Sequence, residues 1–167
     1  MLKVLIAYTS KTGTTENAAR VIAETFRLRS CEVDILQFND VLDVKSYDGV
    51  VIGAPINGMQ WHPDAVKFVT TYQQDLKKKS VAYYFMSYML GEGRSFWNNK
   101  IQNSLNGVSN IVKPVHMGMF SGKVGDDFPA FARWIFGIKK GTASDLTNDE
   151  QVKAWAEACI EQFMNRV

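Results

Sequence analysis

The chain has 167 residues, of which 46% are hydrophobic and 22% are charged, the proportions of one ordinary globular domain. Its 19 basic and 17 acidic residues give a net charge of +2, which is too small to indicate nucleic-acid binding. The composition excludes collagenous and disordered chains, and the two cysteines lack the spacing of a disulfide framework or a thiolate metal site, so we expect a single domain, 1–167, in the reducing cytoplasm.

Five short apolar runs bounded by turn residues predict five strands. The runs cover residues 2–8, 31–37, 49–54, 80–86 and 111–117. The first run is shorter than a signal-peptide core, and none approaches the roughly 20 apolar residues of a membrane span. Continuous apolar strands separated by helical stretches are typical of a parallel sheet covered on both faces. The sequence therefore predicts a three-layer α/β domain.

Three stretches have the apolar period of a helix. The first covers residues 14–28. The second begins at Pro63, a favoured first helical position, and places the following side chains on one face: Ala65, Val66, Val69, Tyr72 and Leu76. The third follows a capping box formed by Thr147 and Glu150. The segment 118–144, before this last helix, is too long for a simple connection and indicates an insertion.

The loop after the first strand has the composition of a phosphate-binding loop. It contains the hydroxyl side chains of Ser10, Thr12, Thr14 and Thr15, and it opens a helix whose first amides are free. Gly13 allows the backbone to approach a ligand closely. The segment is neither a Walker A loop nor a Gly-x-Gly-x-x-Gly fingerprint. The alternative is that these hydroxyl groups only cap the helix.

The sequence Ser10-Lys11-Thr12-Gly13-Thr14-Thr15 resembles the Ser/Thr-x-Thr-Gly-x-Thr loop of the flavodoxin family, which holds the phosphate of FMN. The resemblance extends along the whole chain in the order of its elements. It implies a flavodoxin-like α/β/α sandwich with a five-stranded parallel sheet of order 2-1-3-4-5, and FMN bound where the first and third strands lie side by side.

The resemblance also implies that the loops after the third and fourth strands hold the flavin ring. Trp61, Tyr88, Met59 and Met89 are candidates for its walls, because a flat, partly apolar ring needs such side chains against its faces. Trp61 and Tyr88 alternatively pack on adjacent helices, and His62 is alternatively a helix cap. The predicted cofactor-binding residues are Ser10, Lys11, Thr12, Gly13, Thr14, Thr15, Pro55, Ile56, Asn57, Gly58, Met59, Trp61, Ser87, Tyr88, Met89 and Gly91.

The dipeptide Asn57-Gly58 readily adopts positive φ angles and changes turn type at little cost. In flavodoxin-like proteins a peptide at the matching position turns its carbonyl toward N5 of the flavin when the ring is reduced. The resemblance therefore implies that the Asn57-Gly58 peptide tunes N5, the alternative being a simple tight turn. We predict no catalytic side chain and no metal, because the redox chemistry belongs to the flavin.

The signals at both ends of residues 126–140 predict a helix within the insertion, before the last helix of the domain. Acidic residues and Pro129 open this segment, and Lys139 and Lys140 close it. Its apolar side chains occupy nearly all faces, so it is buried, paired with another chain, or placed against lipid or an apolar ligand. Another basic run, residues 77–79, is interpreted as the solvated end of a helix, with contact to anionic lipid as the alternative.

An insertion of this kind is similar to that of the menaquinone-dependent protoporphyrinogen dehydrogenases of flavodoxin type. That subgroup usually has a basic residue where this chain has Asn57, which weakens the case for porphyrinogen as the substrate. A net charge of +2 also differs from the strongly acidic carrier flavodoxins.

We therefore expect an FMN-dependent oxidoreductase that acts on a quinone or another apolar conjugated substrate. It would be cytoplasmic, with peripheral membrane contact through residues 126–140. The first alternative is an electron carrier between protein partners, and the second is a phosphate-binding domain without flavin.

Overall fold

The computed structural model describes residues 1–57, 60–87, 95–122 and 148–166, with the backbone alone over residues 95–102. In chain order the elements are β1 (Lys3–Tyr8), α1 (Thr14–Leu28), β2 (Glu32–Gln37), a short 3₁₀ turn (Phe38–Asp40), β3 (Gly49–Asn57), β4 (Gln60–Trp61), α2 (Pro63–Thr71), α3 (Gln73–Leu76), β5 (Ser80–Met86), α4 (Ser95–Ile111), β6 (His116–Phe120) and α5 (Asp149–Met164).

The sheet has the order β2-β1-β3-β5-β6, and each of these neighbouring pairs is parallel. The short strand β4 pairs with the end of β3 in antiparallel orientation. Counted over the five long strands, this is the order 2-1-3-4-5, so the prediction of a flavodoxin-like parallel sheet is confirmed. In the register of the sheet, Gly53 lies between Tyr8 on β1 and Tyr84 on β5.

Two buried clusters lie on opposite faces of the sheet, which confirms the three-layer arrangement. One cluster joins α1 and α5, where Phe26 and Phe163 meet edge to face with ring centroids 6.0 Å apart. The other joins the sheet to α2, α3 and α4 through residues such as Phe68 and Val108. Each fully buried side chain of this size contributes about 2 kcal/mol, so both helix layers are held mainly by apolar burial.

The first two helical predictions are confirmed at their starts. Helix α1 covers Thr14–Leu28 as predicted, and α2 begins at Pro63 with His62 as its N-cap, whose Nδ1 accepts a hydrogen bond from the Asp64 amide at 3.3 Å. The second helix is not continuous to Leu76, because Tyr72 separates α2 from the single turn of α3.

The predicted bounds of the fifth strand are wrong. The strand covers His116–Phe120 instead of 111–117, since Ile111 ends α4 and Val112 is buried beside that helix end. The apolar run therefore joins the end of a helix to the approach of a strand, and a short apolar run cannot distinguish the two. The insertion accordingly starts after Phe120, later than the predicted residue 118.

The N-cap of the last helix also differs from the prediction. Asn148, not Thr147, caps α5, and its side-chain oxygen accepts a hydrogen bond from the Gln151 amide at 3.2 Å. The predicted insertion helix, 126–140, lies outside the described residues. Within the described parts of the chain, the helices are too short or too polar to cross a bilayer.

Candidate functional site

The loop between β1 and α1 presents an uncapped helix N-terminus. Gly13 is the N-cap residue and has a φ angle of +82°. Because glycine has no side chain, this residue makes no side-chain hydrogen bond that would cap the helix. The loop is closed internally, because the Gly13 amide donates to Ser10 Oγ at 3.0 Å and the Thr12 and Thr14 hydroxyl oxygens lie 3.2 Å apart. The left-handed conformation at Gly13 turns the chain into the helix and leaves the first helical amides available to a ligand.

The charge around this loop favours an anion. Residues 9–15 contain no acidic side chain and include the exposed Lys11. The nearest acid along the chain, Glu16, accepts a hydrogen bond from Arg20 at 2.6 Å, which offsets its charge. The positive end of the α1 dipole adds to the attraction. Hydroxyl groups, free amides and one ammonium group together are the donors that a phosphate needs.

Tyr84 on β5 anchors the loop between β1 and α1 to the sheet. Its hydroxyl group donates to the Thr15 carbonyl at 2.9 Å, and its ring is fully buried. This ring crosses directly over Gly53, where a Cβ atom would collide with it. Burial raises the pKa of Tyr84 well above its usual value, so the phenol stays protonated and keeps donating to the carbonyl. The first turn of α1 is thereby fixed at the end of the sheet.

Three further chain segments end at the same edge of the sheet. Pro55 pairs with Met86 at the end of β5, and the next residue, Ser87, is buried. The Ser87 amide donates to the Phe120 carbonyl at 2.9 Å, while its carbonyl accepts from the Gly122 amide at 3.3 Å. The ends of β3, β5 and β6 therefore lie beside one another, next to the loop after β1.

Gly122 is a residue of this edge that the sequence analysis missed. A Cβ atom built on it would lie 3.7 Å from Thr14 Oγ1 and 3.8 Å from the Ser87 nitrogen. The segment after β6 thus contacts both the β1 loop and the β5 loop. The sequence does contain a signal, which is a Ser-Gly pair directly after the fifth long strand. The predicted strand ends at residue 117, however, so the pair did not stand out as the residues that follow it.

Trp61 has a different environment from the predicted ring wall. Its side chain is 2% exposed and packs against Tyr83 and Phe85, with centroids 5.1 and 4.9 Å away. Its indole Nε1 donates to the Ala54 carbonyl at 3.3 Å. The indole is therefore buried in the core and holds β4 against the end of β3, and these contacts are with strands, whereas the packing alternative named adjacent helices.

Asn57 is exposed at the end of β3 and pairs with Gln60. It therefore precedes a two-residue connection, instead of occupying one of its central positions as Asn-Gly does in a type I′ hairpin. The remaining candidates lie outside the described residues: Gly58, Met59, Tyr88, Met89 and Gly91.

The described residues fit the phosphate group of FMN. Their donor set is concentrated on one side of the junction between β1 and β3, where the strand order reverses, and open parallel sheets bind ligands there. The hydroxyl groups are oriented within the loop by the contacts of Ser10 and Thr12, so little ordering remains for a phosphate to impose.

Comparison with known proteins agrees with this arrangement. A family model described as "Flavodoxin domain" matches residues 5–138. The chain belongs to the flavodoxin family. No curated protein sequence gives a significant match, so the membership rests on the family model and on the structure.

Solved structures of flavodoxins have the same fold. One is a flavodoxin from the domain Archaea, with 13% identity, a TM-score of 0.59 and 98% of each chain covered. Another is a Fusobacterium nucleatum flavodoxin variant bound to flavin mononucleotide, with 15% identity, a TM-score of 0.59 and 98% of each chain covered. Rubredoxin oxygen:oxidoreductase from Desulfovibrio gigas matches with 19% identity and a TM-score of 0.53, over 96% of this chain and 36% of its own. At these identities the likeness shows the fold.

Proposed function

We propose that this flavodoxin binds FMN and passes electrons between it and a quinone or another apolar conjugated substrate. FMN binding is supported above all by the uncapped start of α1, with Gly13 in the left-handed conformation and hydroxyl groups around it. Bound FMN would supply the electron-transfer chemistry. The side chains of this loop would hold the phosphate, and they take no part in electron transfer.

The ends of β3 and β5 would hold the ring of this cofactor. Pro55, Ile56 and Asn57 extend β3 beyond the predicted strand, and the hairpin with β4 fixes them through the Ile56–Trp61 pair. Buried Trp61 would act as a positioning residue for this hairpin instead of a ring wall. Ser87, whose backbone amide and carbonyl are bonded to Phe120 at the end of β6 and to Gly122 just after it, would present a rigid edge. Rigid walls exclude water and fix the orientation of a bound ring.

The family resemblance is the basis for five further proposed contacts to the ring, which are Gly58, Met59, Tyr88, Met89 and Gly91. The Asn57-Gly58 peptide is proposed to tune N5. Because Asn57 pairs with Gln60, its carbonyl belongs to the junction between strand and connection, where a peptide can turn without breaking the β3 ladder.

The quinone substrate is supported by the charge and by the insertion. A net charge of +2 gives no general attraction to basic redox proteins. Residues 126–140 carry four aromatic side chains and only one charge between their ends, a composition suited to an apolar substrate or a membrane surface. The competing function is electron transfer between protein partners, which needs no such segment.

Deletion of residues 126–140, replaced by a short Gly-Ser linker, separates the two functions. We expect the variant to retain the yellow colour and FMN affinity of the parent but to lose oxidation by a water-soluble quinone analogue. A deletion variant that oxidises with the quinone at the parent rate contradicts the substrate role. The double variant Ser10→Ala/Thr12→Ala tests the cofactor site separately, and we expect it to lose FMN affinity while the thermal stability of the FMN-free protein stays unchanged.

A further inference from the structure

Among the described residues, a cluster of positive charge lies at the opposite end of the sheet from the phosphate loop. Two adjoining cavities of about 470 and 370 Å³ open at the amino ends of the strands, and both are lined by Lys77, Lys79 and Arg166. Together with the lining residues Lys45, Lys78 and Lys113, these side chains form what we call the basic groove. We propose that the basic groove binds a small polyanion of the polyphosphate class.

The charge balance of the basic groove favours an anion. Six cationic side chains line it, and Asp48 is the one carboxylate among its described lining residues. Asp48 already accepts a hydrogen bond from the Lys3 amide at 2.8 Å. The C-termini of α3, α4 and α5 also meet here, each contributing at most about half a negative charge. The groove keeps an excess of about three positive charges after these offsets, and a concave, one-signed surface concentrates counter-ions.

Part of the basic groove is a fixed wall. Lys79, which is only partly exposed, donates through Nζ to the Lys45 carbonyl at 3.1 Å and also to the Tyr47 carbonyl. These bonds tie the connection before β3 to the turn before β5. Lys79 therefore does not behave as the solvated helix end that the sequence predicted, although Lys77 and Lys78 are exposed. A preformed cationic wall reduces the ordering cost of binding an anion.

The lining chemistry selects the class of ligand. Besides its cations the groove offers the hydroxyl groups of Ser46 and Ser80, whereas Tyr47 is its one aromatic side chain among the described residues. Its described apolar lining consists of Leu76, Ile111 and Val112, of which Leu76 and Val112 are buried, so the groove offers little exposed apolar surface to a nucleobase or an acyl chain. A concave surface also suits a compact anion better than a flat bilayer. Ammonium, guanidinium and hydroxyl donors together match the oxygens of linked phosphates.

This site is independent of the proposed FMN site. Strand β5, with seven residues, separates the two ends of the sheet by about 20 Å. A ligand in the basic groove would therefore contact neither the phosphate loop nor the ring.

Calorimetric titration of the FMN-loaded protein, separated from free FMN, with sodium triphosphate at constant ionic strength tests the proposal. We expect one binding site per chain and an unchanged flavin absorbance spectrum. The double variant Lys77→Gln/Lys78→Gln should bind about tenfold more weakly, because it removes two of the six cationic side chains that line the groove.

The variant Lys67→Gln/Lys153→Gln removes the same charge from exposed positions on α2 and α5 and should bind as the parent does. Equal weakening in both variants would show a general charge effect and overturn the proposal, as would displacement of FMN by triphosphate. Sedimentation with phosphatidylglycerol vesicles is the third arm. Vesicle binding that depends on Lys77 and Lys78, without triphosphate binding, would identify a membrane as the occupant and would also overturn it.

Discussion

At the scale of single residues, Gly13 illustrates how backbone conformation prepares the phosphate loop. Its φ of +82° lies in the left-handed region, and a Cβ atom there would contact nothing within 4 Å. The requirement for glycine is therefore conformational and not steric.

The Ser/Thr-x-Thr-Gly pattern was readable from the sequence, because each residue type in it has a local role. The environment of Trp61 was not readable, because burial in the core depends on Tyr83 and Phe85 from another strand.

Gly13→Ala should lower the free energy of unfolding by about 1 kcal/mol, the cost of a non-glycine residue in the left-handed region. The matched control is Gly107→Ala on α4, where a Cβ atom also has free space and φ is not positive. An exposed helical glycine is less favourable than alanine, so this control should be stabilised by about 0.5–1 kcal/mol. Urea denaturation measures both. The same sign of change in the two variants would contradict the conformational argument.

His116 provides a pH-dependent contribution to stability. Its imidazole stacks on Trp155, with centroids 5.4 Å apart, and burial lowers its pKa below the ordinary value near 6.5. The unfolded chain therefore binds the proton more tightly than the folded one. This contribution is complete above about pH 6.5 and is lost as the pH falls toward the folded pKa. We expect unfolding free energies at pH 8 and pH 5 to differ more in the parent than in His116→Gln. Parallel pH curves for the two proteins would be evidence against this assignment.

At the scale of elements, the sequence determines the start of a helix where a local signal marks it. Helix α1 follows Gly13 and α2 follows the His62-Pro63 pair, and both starts were predicted correctly. The fifth long strand was misplaced, because Ile111 and Val112 continue the apolar face of α4, whose Leu105 and Val108 are buried. A one-dimensional apolar run does not record that its first half belongs to a helix.

The hydrogen bond from Tyr84 on β5 to the Thr15 carbonyl at the start of α1 is predicted to affect FMN affinity. Tyr84→Phe removes the bond to the Thr15 carbonyl and should cost about 1–2 kcal/mol of stability. Tyr83→Phe is the matched control, because its hydroxyl donates to the Val112 carbonyl at 2.7 Å on the other face of the sheet. Both variants should lose similar stability, but only Tyr84→Phe should weaken FMN binding, by several-fold. Fluorescence titration with FMN measures the difference, and equal affinities would show that Tyr84 does not order the loop.

At the scale of the whole molecule, the net charge of +2 is unevenly distributed. Six cationic side chains line the basic groove at the amino ends of the strands, whereas the phosphate loop at the carboxyl ends has Lys11 and no acid over residues 9–15. Composition alone could not show this segregation, because it arises from helix ends that the sheet topology brings together. The parallel topology itself was predictable, since continuous apolar strands require helices on both faces.

The dependence of the reoxidation rate on ionic strength should distinguish a neutral small substrate from a charged redox partner. The reduced protein, with FMN bound, would be mixed with a neutral benzoquinone in a stopped-flow instrument and its reoxidation followed by flavin absorbance. We expect a rate that changes little when the Debye length falls from about 30 to about 3 Å, because a neutral substrate is not steered. Ferricyanide serves as the anionic control, and its rate should fall with salt if the exposed charge near the flavin is positive, as Lys11 suggests. A slow, salt-independent reaction with the quinone, together with fast and salt-sensitive reduction of an acidic acceptor protein, would instead support the electron-carrier function.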